Sequence, residues 1–124
     1  MMFDATVEHL LARGIAVRFR ASGHSMHPAI CSGEHVQVEP VELATVSRGD
    51  IVLARLARGL TAHRVIRVEN GRITTRGDNC SVDDPVFEAA QLLGRVVSPR
   101  RPDAFFTRAA TVIRCLWRSL NSRS

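Results

Sequence analysis

Residues 60–76 read Leu60-Thr61-Ala62-His63-Arg64-Val65-Ile66-Arg67-Val68-Glu69-Asn70-Gly71-Arg72-Ile73-Thr74-Thr75-Arg76, two β-prone runs on either side of Asn-Gly. That dipeptide favours a two-residue type I′ hairpin turn, whose central residues both need positive φ. Taking it as the loop fixes a register. Glu69 then faces Arg72, Val68 faces Ile73, Arg67 faces Thr74, Ile66 faces Thr75 and Val65 faces Arg76. Opposite charges and branched apolar side chains meet across the ladder, as a stable hairpin requires. Carried on without a break, the same count sets Arg64 against Gly77 and His63 against Asp78, within reach of each other unless Gly77 starts a bulge.

The neighbouring sequence adds more strands. Upstream, Arg58-Gly59 turns the chain back from an apolar run over 51–56, itself preceded by the turn signal Arg48-Gly49-Asp50. Val36 and Val38 share one face of a strand over 35–38, and Ile15, Val17 and Phe19 alternate with Ala16, Arg18 and Arg20 in another. Before them, residues 4–13 carry Val7, Leu10 and Leu11 at helical spacing, with Asp4 as an N-cap and Gly14 to close the end. Residues 92–97 form the last predicted strand. After a basic linker from Pro99 to Pro102, residues 103–120 repeat apolar residues every three or four positions, predicting an amphipathic helix capped by Asp103. The expected architecture is a single domain over 1–124: a mainly β, antiparallel core at 15–97 with a short helix before it and an amphipathic helix after it.

Composition restricts the chemistry. All 17 basic residues are arginine. Arginine stays protonated and cannot serve as a general base, so a Ser-Lys dyad is excluded and only the five histidines and twelve carboxylates remain. The length suits one hydrophobic core. No window reaches the roughly 18 uncharged apolar residues of a membrane span, and Asp4, Glu8 and Arg13 contradict a signal peptide. Cys31, Cys80 and Cys115 are widely spaced and odd in number, which predicts free thiols in a reducing, cytoplasmic setting.

The candidate nucleophile is Ser25, in Ser22-Gly23-His24-Ser25-Met26-His27-Pro28 just past the end of a strand. A serine hydroxyl needs a base within hydrogen-bond reach and donors aimed at the developing oxyanion, for which the Ser25 backbone N–H is placed. Four segments, Ser25-Met26-His27-Pro28, Gly49-Asp50-Ile51-Val52, His63-Arg64-Val65-Ile66 and Arg76-Gly77-Asp78-Asn79 with Val82-Asp83-Asp84 following, together resemble the type I signal peptidases. The wider LexA-like superfamily includes the self-cleaving repressors of the bacterial DNA-damage response. The resemblance covers residues 19–97 and is closest to the endoplasmic-reticulum and archaeal branch, where histidine replaces the bacterial lysine. It implies Ser25 as nucleophile, His63 as general base and Asp84 as the acid that orients the ring. Asp78 then supports the site, together with Ser22, Gly23, Met26 and Pro28 of the nucleophile loop. The hairpin register instead favours Asp78 as the partner of His63.

Three departures from the family pattern stand out. An inserted His24 puts Ser22 three residues before Ser25, Gly33-Glu34 stands where Gly-Asp is usual, and the family's amino-terminal membrane anchor is not expected from these residues.

Competing readings follow from the same residues. Ser25 also fits a turn serine, His63 a sheet histidine, and Asp84 before Pro85 a helix N-cap. His24, His27, Cys31 and His35 match no standard zinc spacing, so no metal and no cofactor is expected. The expected partner is a protein or peptide substrate, cleaved by a serine endopeptidase; the alternative is a non-catalytic peptide-binding module on the same fold, gripping an extended segment by strand addition. A net charge of +5 permits nucleic-acid contact, but no helix-turn-helix pattern and no aromatic interleaving accompany the arginines, so no specific nucleic acid is expected. The arginines and Trp117 of 103–120 permit peripheral contact with an anionic bilayer.

Overall fold

The computed structural model describes residues 2–97; the helix expected over 103–120 lies outside the described residues. Helix α1 (Met2–Ala12) comes first, followed by strands β1 (Val17–Arg20), β2 (His35–Glu39), β3 (Ile51–Leu56), β4 (Gly59–Glu69), β5 (Arg72–Arg76), β6 (Phe87–Glu88) and β7 (Leu92–Val97). The strands form one sheet in the order β1-β2-β7-β3-β4-β5-β6, every neighbouring pair antiparallel. The fold is mainly β, as the alternating patterns predict. Among the described residues no helix is long and apolar enough to cross a membrane.

Helix α1 starts two residues before Asp4, so Asp4 lies inside it and does not cap it. Its other end closes as expected at Gly14. The Gly14 N–H donates to the Leu11 carbonyl and the Ile15 N–H to that of Leu10, a Schellman arrangement centred on a residue with φ 82°.

Strand β3 is buried on both faces over Val52, Leu53 and Ala54, which explains the apolar run from Ile51 to Ala54 that Arg55 ends. Val52, Ala54 and Leu56 join Val46, Val65, Ile73 and Phe87 on one side. Leu53 points the other way, into a cluster with Val38 and with Val7 and Leu11 of α1. A third cluster, Met26, Ile30 and Val36, lies under the loop between β1 and β2.

The β4–β5 hairpin has the predicted turn, with Asn70 at φ 51° and Gly71 at φ 75°. Its register matches expectation from Glu69–Arg72 through Arg67–Thr74 and then shifts. Val65 faces Thr75 and Arg64 faces Arg76, so Ile66 is an extra residue in β4. Such a bulge leaves one residue unpaired and re-aims everything beyond it. The expected pairing of His63 with Asp78 fails for this reason. Asp84 is followed by β6 and not by a helix, which removes its reading as an N-cap.

Candidate active site

Ser25 sits on the exposed β1–β2 loop, held from beneath by its apolar neighbours. Met26 and Ile30 are buried against Val36, and the base of the loop is closed by the Ala21 N–H to the Glu34 carbonyl and the Gly33 N–H to that of Ala21. The segment after β5 pins it from the side. The Asn79 backbone N–H donates to the Ser25 carbonyl at 2.8 Å, the Asn79 side-chain amide donates to the His24 carbonyl at 3.0 Å, and the Asp78 N–H points at the Met26 sulfur at 3.3 Å. Ser22 and Gly23 lie on the exposed turn leading into the loop, and the Pro28 carbonyl faces the Cys31 sulfur at 4.0 Å.

His63 comes from the middle of β4, only 3% exposed. Its Nε2 stands 3.0 Å from Ser25 Oγ, across 38 positions of sequence, and its Nδ1 stands 2.5 Å from Asp84 Oδ2. A carboxylate can only accept, so the proton on Nδ1 faces Asp84 and the lone pair of Nε2 faces the serine hydroxyl. That tautomer is the one a general base needs.

Asp84 is buried and fully engaged. Thr75 Oγ1 donates to Oδ2 at 2.8 Å, Arg58 Nη2 donates to Oδ1 at 2.5 Å, and the Asp84 backbone N–H donates to the Thr75 carbonyl at 2.8 Å. Asp78 is elsewhere. It takes Arg64 in a two-pronged pair, Nε at 2.8 Å and Nη2 at 2.7 Å, while Arg64 Nη1 reaches the Gly49 carbonyl at 2.8 Å. The Asp78 hydrogen bonds raise the Arg64 guanidinium above its ordinary range, outweighing the lowering from burial.

Gly77 supplies space. A Cβ there would meet the Ser25 carbonyl oxygen at 2.5 Å, the Cys80 sulfur at 2.7 Å and His63 Nε2 at 3.0 Å. Any side chain would displace the serine or the imidazole. Cys80 is a free thiol, half-buried beside the Ser25 carbonyl. Cys31 departs from the expectation of free thiols, being disulfide-bonded.

The structure thus brings Ser25, His63 and Asp84 into one hydrogen-bonded chain and sends Asp78 to Arg64. Thr75 and Arg58 complete the surroundings of the acid, and neither is marked by a motif. Thr75 was displaced from its expected position by the Ile66 bulge, and Arg58 reads in sequence only as part of a turn. Chemically, the arrangement offers an alcohol beside one imidazole nitrogen and a carboxylate at the other, the order of groups that acyl transfer by a serine uses.

Residues 6–97 match the Peptidase S24-like family. A LexA repressor from Frankia alni is 33% identical over 95 residues, covering 76% of this chain and 36% of the repressor. The chain therefore spans about a third of the length of that curated relative.

Proposed function

The chain belongs to the Peptidase S24-like family, and from that premise we propose that it is a serine endopeptidase acting on a peptide bond of a protein or peptide precursor. The observation that carries the proposal is Ser25 Oγ at 3.0 Å from the Nε2 of a histidine whose Nδ1 is held by a buried aspartate. His63 takes the Ser25 proton as Oγ attacks the scissile carbonyl. The imidazolium, held by Asp84, then gives that proton to the leaving amine as the C–N bond breaks and an acyl-enzyme remains. Water, activated by the same imidazole, releases the acyl group and restores the hydroxyl. The Ser25 backbone N–H is the oxyanion donor, since the peptides flanking Ser25 have their carbonyls held by Asn79 on the other side. Use of histidine in place of lysine aligns the site with the endoplasmic-reticulum and archaeal signal peptidases.

The test is direct. Ser25→Ala should lower cleavage of a substrate by at least about 10³-fold, and mass spectrometry of what co-purifies with the variant should reveal the uncut precursor. Cleavage that persists unchanged in the variant would remove the peptidase reading. A non-catalytic peptide-binding module is the second reading, in which an extended segment adds at an end of the sheet, where β1 is the terminal strand among the described residues. That reading predicts unaltered peptide affinity in Ser25→Ala and no cleavage by either protein.

A further inference from the structure

Three side chains hold Asp84, and two of them, Thr75 and Arg58, have no part in the scheme above. His63 and Thr75 share Oδ2, whereas Arg58 alone takes Oδ1. Leu56 pairs with Gly59, so Ala57 and Arg58 are the whole turn between β3 and β4. From there the guanidinium reaches inward from solvent, 59% exposed at its own side chain, onto a carboxylate only 6% exposed. An ion pair between two exposed groups contributes little, but here one partner is desolvated and is also the counter-ion of the imidazole.

Resting on the peptidase reading, we propose that Arg58 is a positioning residue that acts through Asp84. By occupying Oδ1 it fixes the carboxylate plane so that Oδ2 stays on His63 Nδ1. By offsetting part of the carboxylate charge it also weakens the pull that Asp84 exerts on a proton at His63, which keeps the ring in its neutral, base-competent form. Other groups around the pair compete little for this role. Thr75 and Ser25 are uncharged, Gly77 has no side chain, and the Cys80 thiol lies against the Ser25 carbonyl. The adjacent Asp83 faces away to Arg76 at 3.4 Å, and Arg64 is taken by Asp78.

The experiment is an NMR titration of the His63 ring in the full chain, with His63→Gln to identify its signal, for the natural protein, Arg58→Gln and Arg58→Lys. Removing the positive charge should move the His63 titration midpoint upward by about half a pH unit. Arg58→Lys, which keeps the charge, should stay near the natural protein. The acid limb of the kcat/KM profile should move upward in step in Arg58→Gln, with KM nearly unchanged. A ring titration and acid limb that superimpose on those of the natural protein would overturn the assignment and leave Arg58 an ordinary surface contact. Failure of the peptidase reading is separately visible as cleavage that does not depend on Ser25, because the ring titration requires no substrate.

Discussion

Asp84 and Asp78 lie six positions apart, and the fold gives them different work. Asp84 lies under the imidazole with Thr75 and Arg58 on its remaining lone pairs, whereas Asp78 forms a partly exposed pair with Arg64. Asp84→Asn should therefore lower kcat by roughly 10²–10⁴-fold, since an amide no longer enforces the productive tautomer. Asp78→Asn should leave the chemistry nearly intact and cost below about 1 kcal/mol in denaturant unfolding, discounted for the exposure of the pair. The sign of the pH effect follows from the raised Arg64 value. A cation strengthened on folding contributes stability that is fully present at neutral pH and lost only as pH rises past the guanidinium range. Equal loss of turnover in both variants, measured on one substrate, would contradict this division. In the sequence, Ser25 and His63 stood out by motif and chemistry, but the choice between the two aspartates could not be made from register alone. One unpaired residue, Ile66, alters which side chains the hairpin presents beyond it.

The β4–β5 hairpin is the element that delivers His63. Asn-Gly made its turn legible, and the opposed pairs near the turn follow the simple count. Bulges were not legible, because they answer to the shape of the whole sheet and not to local propensity. Nor was β6, two residues long, whose Phe87 is placed by long-range packing at 1% exposure. Asn70 occupies the left-handed region, where side chains other than glycine, asparagine and aspartate are strained. Asn70→Ala is expected to cost about 1 kcal/mol, while Asn70→Gly should be close to neutral. Urea unfolding of the two variants checks this; equal stabilities would show that the turn does not hold the register.

At the scale of the molecule, β3, β4 and β7 lie inside the sheet, and the two apolar clusters on either face of β3 meet there. The site is assembled across that frame: Ser25 from the β1–β2 loop, His63 from β4 and Asp84 from the segment before β6. Its geometry therefore depends on the core. Phe87 ties the short β6, three residues after Asp84, into the cluster with Ile73 and Val65. Phe87→Ala should cost about 3–5 kcal/mol, a large share of the 5–15 kcal/mol typical of a domain. Thermal unfolding should show a lowered midpoint, with activity per folded molecule falling as the Asp84 segment loosens; an unchanged midpoint would contradict the core assignment. The alternating strands were evident from hydropathy, but the sheet order was not, since β7 inserts between β2 and β3 and no local signal encodes that.

The proposed function requires above all that His63 makes the Ser25 hydroxyl nucleophilic. Its most direct measurement is the rate at which a fluorophosphonate labels the intact protein, followed by mass spectrometry. A single adduct is expected on Ser25 and none on that residue's alanine variant, with labelling of His63→Ala slowed by at least about 10²-fold. Labelling at the same rate with His63 replaced, or a Ser25 that never reacts in the folded natural protein, would contradict it.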